Sequence, residues 1–305
     1  MPTHPYAYVI PWQKRAGGGP LVTGTQFNVF ATDVSPENPD NNQYLPVING
    51  STYPSIVVAN KKLPRVSVHT CLKPNNGAGA GWSNAAFFNS LLGVDATNNT
   101  DDFAFSFKDE VDTRVYDYFK CERCDMAQNA SGGPVAVMMG FKGRWGDTEA
   151  PYGTTLESGE VIPSAPAFTY SAQVPDAGQA TPSSKVSIVG LTKVKGFQLT
   201  FLRGQAAQFF YNGDNHPAEI VSTMFSGVAT FDQEPDADTF ITDTGTVTIK
   251  FNTDLTSTTG RFKITLLLKR DNRFKPVVTT LGNITSTYSM FDQTSGGNPA
   301  AFVAY

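Results

Sequence analysis

The sequence predicts a mainly β fold of the α+β kind, with many strands and one short helix. In several segments hydrophobic residues recur at every second position, which is the period of a strand with one buried face. The chain has 27 glycines and 20 prolines among 305 residues, as expected where many turns join short strands. Only one segment combines helical spacing with capping residues. These three observations indicate antiparallel sheets with a single helix packed against them.

Two hairpins and six further strands follow from the alternation. Residues 103–107 place three phenylalanines on one face, and an extended run at 113–120 resumes after an acidic turn. A clearer hairpin joins residues 246–252 to residues 261–269, where apolar and polar side chains alternate in both segments. The other predicted strands are residues 65–71, 134–142, 185–190, 194–203, 220–231 and 275–281.

The helix is predicted at residues 82–93. Ser83 or Asn84 can cap its first turn, and Gly93 can end it. Its apolar face is formed by Phe87, Phe88, Leu91 and Leu92. Because so short a helix is marginal alone in water, we expect it to lie against a sheet.

Two changes in composition divide the chain into four parts. The glycine-rich stretch Gly17–Pro20 predicts that residues 1–20 form an N-terminal arm. Residues 147–184 hold five prolines with almost no alternation, and we interpret them as an extended linker. The remaining parts, residues 21–146 and 185–305, each have the length of one domain.

Each of these two domains contains a strand that runs into an aromatic-x-glycine pattern, which suggests an internal duplication. The strand at 134–142 is apolar on both faces, so it is either a plain buried core strand or one covered partly by a neighbouring subunit. Glycines in such strands allow a bulge or the close approach of another backbone. The candidate residues for close packing and assembly are Gly140, Phe141, Gly143, Phe225 and Gly227.

Composition limits the possible partners. Charged residues make up only 16% of the chain and the formal net charge is −4, which disfavours a nucleic-acid-binding surface because such a surface needs cations. The first twenty residues lack the pattern of a signal peptide, and no apolar run approaches the ~18–20 residues of a membrane helix. Three cysteines give no paired disulfide framework. We therefore expect a soluble protein made in the cytoplasm, without a membrane partner.

No set of residues predicts a metal, a cofactor or a catalytic centre. Cys121 and Cys124 could bind zinc with His69 and Cys71, but the His-x-Cys spacing is poor and a strand would point Cys121 and Cys124 to opposite faces. No nucleophile-elbow motif accompanies the three histidines, and the clustered carboxylates lie in turn-like segments. A non-enzymatic protein is predicted, with a zinc enzyme as the most distant alternative.

Two segments resemble the tail tube (major tail) proteins of long-tailed bacteriophages. Residues 131–146, SGGPVAVMMGFKGRWG, form a small-residue turn that leads into a strand ending in aromatic-x-glycine. Residues 193–232 form a long strand, a polar loop and a second such strand. The resemblance implies two tandem tube-type β-sandwich or half-barrel domains with one flanking helix. It also implies that the inner sheets of neighbouring subunits join into a continuous β-barrel lumen.

That resemblance implies a structural virion protein. Its rings, pseudo-sixfold and built from three chains or alternatively six, would stack around a tape-measure protein and contact tail completion and tip proteins. DNA would pass through the lumen without specific binding, and the protein would reside in the virion tail after assembly in the host cytoplasm. The first 60 residues and residues 298–305 have no clear counterpart in that family, and we expect them and the linker to reach neighbouring subunits or rings. Deleting residues 1–20 would then weaken stacking and leave the β fold intact.

Other functions stay open at this point. A capsid-decoration protein or a tail terminator would also be rich in β-structure and poor in charge. A carbohydrate-binding β-sandwich would need exposed aromatic platforms, for which Trp12, Trp82 and Trp145 are the candidates.

Overall fold

The computed structural model describes residues 8–15, 21–37, 43–45, 56–58, 61–72, 85–94, 100, 102–108, 113–129, 133–145, 175–177, 186–210, 215–234, 241–251, 262–270, 277–278, 284–291 and 299–304. Over these residues the chain is mainly β with one short helix, as the sequence predicts. The elements up to the predicted linker are β1 (Tyr8–Arg15), β2 (Leu21–Glu37), β3 (Gln43–Leu45), β4 (Ile56–Val58), β5 (Arg65–Cys71), α1 (Ala85–Leu92), β6 (Asp102–Lys108), β7 (Thr113–Gln128) and β8 (Ala136–Trp145). The later elements are β9 (Pro175–Ala177), β10 (Val186–Val189), β11 (Val194–Gln208), β12 (Glu219–Gln233), β13 (Thr244–Phe251), β14 (Phe262–Arg270), β15 (Val277–Val278), β16 (Ile284–Met290) and β17 (Ala300–Ala304).

Both predicted hairpins are confirmed by their registers. The pairing of β6 with β7 places Phe107 opposite Arg114, and the pairing of β13 with β14 places Phe251 opposite Phe262. The other predicted strands correspond to β5, β8, β10, β11, β12 and the short β15. The alternation of apolar and polar residues therefore located these strands correctly.

Six strands that precede the linker form a closed circuit of pairings. In order, β1 pairs with β2, β2 with β5, β5 with β8, β8 with β7, β7 with β6, and β6 with β1, all antiparallel. Each of the six strands therefore has a neighbouring strand on both of its edges over at least part of its length. Open edges are the sites where strands of other chains can add.

The second half of the chain joins the first through one pair of strands. Residues Phe197–Leu202 of β11 pair with residues Arg123–Gln128 of β7. From there the sheet continues through β12, β16, β14, β13, β10 and β9, and β9 returns next to β11. Strands β15 and β17 pair with β16 and β14, and β3 and β4 form a separate pair. All described strands other than β3 and β4 thus form one sheet of fifteen strands that runs through both halves.

The helix packs on the buried face of the sheet near the point where the halves meet. Phe87 lies against Phe103, with 6.3 Å between the ring centroids, and Phe88 stacks on Phe302 at 5.2 Å. Phe302 in turn packs on Phe201 at 5.6 Å. Burying each of these phenylalanine side chains contributes about 1.5–3 kcal/mol to stability. The helix and strands from both halves belong to one hydrophobic core. The described residues include no helix long and apolar enough to cross a membrane.

The predicted helix end is confirmed. Gly93 has φ 60°, and its backbone N–H donates to the carbonyl of Asn89 at 2.8 Å. A left-handed residue that satisfies a terminal carbonyl in this way is the usual end of a helix, and glycine adopts it without steric cost. The predicted cap at Ser83 or Asn84 lies outside the described residues.

Segments from both ends of the chain pair with strands of the same chain. Within the predicted arm, β1 (Tyr8–Arg15) pairs with both β2 and β6 and completes the circuit. The C-terminal segment does not extend away from its own chain, because β17 pairs with β14 and Phe302 is buried. The linker is described only at β9, which pairs in parallel with β10.

Removing β1 is therefore expected to destabilise the fold. A chain that lacks residues 1–15 leaves β2 and β6 each without one neighbour, and we expect it to lose at least about 3 kcal/mol of unfolding free energy or fail to fold. Urea unfolding followed by circular dichroism measures this loss. A chain that lacks only residues 1–7 keeps β1 and serves as the control. Equal unfolding midpoints for the two truncated chains would contradict the closed circuit.

Candidate functional site

The glycines predicted on β8 make room for groups of the same chain. Gly143 lies opposite Phe119 of β7, and a Cβ added to Gly143 would overlap the Phe119 ring. Gly140 lies opposite Arg123, where the register of β7 shifts between Cys121 and Arg123, so the predicted bulge is present on the neighbouring strand. A Cβ added to Gly140 would be in ordinary contact, 3.8 Å from the Cβ of Arg123.

The remaining candidates for close packing also have partners within the chain. Phe141 is buried and lies opposite Cys121. A Cβ on Gly227 of β12 would overlap the sulfur of Met290 and lie 3.1 Å from the carbonyl oxygen of Thr200. Phe225 is half-buried, and its ring lies 6.3 Å from that of Phe201. Phe141, Gly143, Phe225 and Gly227 are therefore explained by packing inside one copy, whereas Gly140 has room for a Cβ. A role in assembly stays a prediction for all five.

The cysteines of β7 both face the core, which corrects the expectation that they point to opposite faces. The register shift between Cys121 and Arg123 inserts an extra residue, so Cys121 and Cys124 fall on the same buried side. Burial raises the pKa of both thiols well above the usual range. Thiols held protonated in this way are poor nucleophiles and poor metal ligands.

The zinc set considered from the sequence is not brought together. His69 is exposed and Cys71 is half-buried on β5, on the face opposite the buried Val68 and Thr70. Cys121 and Cys124 lie on the buried face. Over the described residues, no three His, Cys, Asp or Glu side chains are grouped as metal ligands. Trp82 lies outside these residues, as do the side chains of Trp12 and Trp145.

A five-stranded part of the sheet lies where the two halves meet. It is formed by β8, β7, β11, β12 and β16 in that order, and we call it the junction sheet. One row of paired residues across it is buried: Met139, Cys124, Phe201, Gly227 and Met290. The next row lies on the outer face and is partly exposed: Met138, Asp125, Thr200, Val228 and Ser289.

On the outer face the charges are compensated by neighbouring side chains. Arg123 Nε donates to Asp125 Oδ2 at 2.6 Å, and Thr200 Oγ1 donates to Asp125 Oδ1 at 2.7 Å. The hydrogen bond that Arg123 donates to Asp125 raises the pKa of Arg123. Because the Arg123 side chain is half-exposed, this ion pair within β7 adds little stability. The hydrogen bond from Thr200 to Asp125 ties β11 to β7 at the boundary between the halves.

Hydroxyl pairs continue the outer face across β12 and β16. Thr285 Oγ1 donates to Asp232 Oδ1 at 2.5 Å, and the hydroxyls of Thr230 and Thr287 are 3.3 Å apart. Near the borders of the junction sheet, Lys142 lies 2.8 Å from Glu122 and Lys195 lies 3.4 Å from Glu234. The described face therefore presents hydroxyls and paired charges together with the apolar side chains of Met138, Val228 and Leu202.

A buried polar cluster stands where β7 changes its neighbour from β6 to β11. Gln205 Nε2 donates to the carbonyl of Cys121 at 2.8 Å, and Ser222 Oγ donates to Gln205 Oε1 at 3.1 Å. The hydroxyls of Ser222 and Thr100 are 2.6 Å apart. The side chain of Gln205 thus supplies at Cys121 a donor that a paired strand would otherwise provide.

Sequence reasoning predicted β8, β11, β12 and the first part of β7, but it predicted neither β16 nor the polar contacts of this surface. The alternation in β11 marks Gln198, Thr200 and Leu202 as one face, which is a visible signal for the outer side. Gln205 gave no signal, because its partners are 84 and 105 residues away in the chain. Comparison with protein-family models and with curated protein sequences finds no match for this chain.

The two glycines of β8 provide a matched pair of substitutions. We expect Gly143→Ala to lower the unfolding free energy by about 1–3 kcal/mol, because the new methyl group overlaps the buried Phe119 ring. Gly140→Ala should change it by no more than about 0.5 kcal/mol, since its Cβ finds ordinary contact. Urea unfolding of both variants measures the difference. Equal losses in the two variants would show that the Phe119 ring is not packed on Gly143.

Proposed function

We propose that this chain is a structural subunit of a tube, of the kind formed by the tail tube proteins that it resembles. The observation that carries the proposal is the junction sheet, which is continuous through both halves of the chain. Its inner face is packed in the core, and its outer face is polar and charge-compensated. A continuous wall with such a surface suits a conduit better than a binding pocket.

The chemistry of the outer face supports passage of DNA without retention. Retention of phosphates requires cations that release counterions on binding. Arg123, on this face, is already engaged by Asp125, and Lys142 and Lys195 near its borders are paired with glutamates. The proposed lumen therefore presents hydroxyls, compensated cations, apolar side chains such as Val228 and Leu202, and the carboxylate of Asp232 to the polymer that moves along it.

The contact between copies in this proposal is made by side-chain surfaces. The resemblance implied that strand edges of neighbouring subunits would pair to complete the ring barrel. Among the described residues, each strand of the six-strand circuit already has a neighbour on both edges over part of its length, which leaves less edge for pairing between copies. The outer faces of the junction sheets, placed side by side, would then form the continuous lumen.

The directions of the strands bear on the proposed number of chains in a ring. If three chains filled six equivalent places, the halves would be related by rotation about the tube axis, and equivalent strands would run the same way. The aromatic-x-glycine strands β8 and β12 are separated by β7 and β11, with every neighbour antiparallel, so they run in opposite directions. We therefore favour six chains per ring, each filling one place, over the three chains suggested by the sequence.

The remaining parts of the proposal follow from the resemblance. The rings would stack around a tape-measure protein and end at completion and tip proteins, in a virion tail assembled in the host cytoplasm. A subunit of this kind acts through its shape and needs neither a cofactor nor a catalytic residue.

Negative-stain electron microscopy of the purified chain tests the proposal. We expect hollow tubes or stacked rings at high protein concentration, with sixfold symmetry in averaged end views. Single rings that never stack would favour a tail terminator, and particles of single chains at every concentration would contradict a tube subunit. Circular dichroism of the same sample serves as the control for a folded sheet.

A further inference from the structure

Strands β11 and β12 continue beyond their neighbours in the sheet. The pairing of β11 with β7 ends at Leu202, and the pairing of β12 with β16 begins at Gly227. Beyond that level the two strands pair only with each other over the described residues. We call this part the strap, and define it as residues 203–210 together with residues 215–226.

The strap lies against the first half of the chain through mainly polar contacts. Lys142 Nζ donates to the carbonyl of Gln205 at 3.2 Å, and Arg144 Nε donates to the carbonyl of Pro217 at 2.9 Å. The backbone N–H of Lys62 donates to the carbonyl of Asn215 at 2.8 Å. At the base of the strap, Gln205 and Ser222 form the polar cluster with Cys121 and Thr100.

Apolar contact with the core holds the strap only near its base, where the half-buried Phe225 ring lies 6.3 Å from that of Phe201. Met224 is 78% exposed and Phe210 is 59% exposed, although both are large hydrophobic residues. Ile220 is buried but does not belong to the continuous core of the molecule. By contrast, Phe201 and Phe231 of the same two strands are fully buried in that core. Since apolar burial contributes most of the stability of a fold, the strap is held more weakly than the rest of its own strands.

The base of the strap also has the features of a hinge. The register of β11 on β12 shifts between Arg203 and Gln205. Between them Gly204 accommodates the Thr223 hydroxyl, which would overlap a Cβ at that position. A bulge interrupts the ladder and bends the strand, so the strap can change direction without breaking the pairs below it.

We propose that the strap opens by local unfolding above this bulge, with its two strands separating from each other and from the first half, while the junction sheet stays paired. Opening detaches Gln205 from the carbonyl of Cys121 and releases Lys142 and Arg144 from the carbonyls that they contact. It exposes the edge of β7 at the point between β6 and β11 where no strand pairs with it. This inference concerns the isolated chain and holds whether or not the chain assembles into tubes.

Hydrogen exchange of the single folded chain tests the opening. We expect the hydrogen-bonded amides of Gln205–Gln208 and Glu219–Ser222 to be protected at least about a hundredfold less than those of Phe197–Leu202 and Gly227–Gln233. The comparison is internal, because both sets of amides belong to β11 and β12. Equal protection of the two sets would overturn the proposal.

A disulfide across the base of the strap provides the matched control. The hydroxyls of Thr100 and Ser222 are 2.6 Å apart, so the double variant Thr100→Cys with Ser222→Cys is suited to form one. In the oxidised variant we expect protection of the strap amides to rise at least about tenfold over the same variant reduced, with the other amides unchanged. If oxidation leaves the strap amides as exchangeable as before, they do not exchange through opening at this base, and the proposal fails.

Discussion

The main-chain pairing of β7 with β11 is the interaction on which the rest of the structure depends. It joins a closed circuit of strands to the second half of the chain and makes one sheet of both. Because side chains alternate between faces along paired strands, a single register fixes both surfaces at once. It aligns the buried row through Cys124 and Phe201, and it places Asp125 beside Thr200 on the outer face.

Where the β7–β11 pairing ends, main-chain groups of β7 need other hydrogen-bond partners. A strand that has β6 on one part of its edge and β11 on the next leaves main-chain groups unpaired in between, and a buried carbonyl without a donor is costly. At Cys121 the side-chain amide of Gln205 donates to the main-chain carbonyl, and the Ser222 hydroxyl donates in turn to the side-chain oxygen of Gln205. Bulges in both β7 and β11 lie beside this cluster, which suggests that the change of neighbour and the two bulges belong together.

The sequence was sufficient for elements whose signal is local. Alternation located β5, β8 and the hairpins, and the Phe87–Leu92 face with Gly93 predicted α1. The sequence was not sufficient where strands pair with distant segments. β1 closes the circuit and β17 pairs with β14, although we expected both segments to extend toward neighbouring subunits. The prediction that Cys121 and Cys124 point to opposite faces was wrong, because a one-residue bulge reverses the alternation of side chains and leaves no mark in the composition. Gln205 had no local signal either.

Cooperativity of unfolding tests most directly whether the two halves are one sheet. All three tryptophans, Trp12, Trp82 and Trp145, precede the linker, so their fluorescence reports on the first half, while circular dichroism reports on both. If the β7–β11 pairing unites the halves, both signals should follow one urea transition with the same midpoint. Two separate transitions, with the circular dichroism signal of the second half lost at a different urea concentration from the fluorescence, would contradict this account.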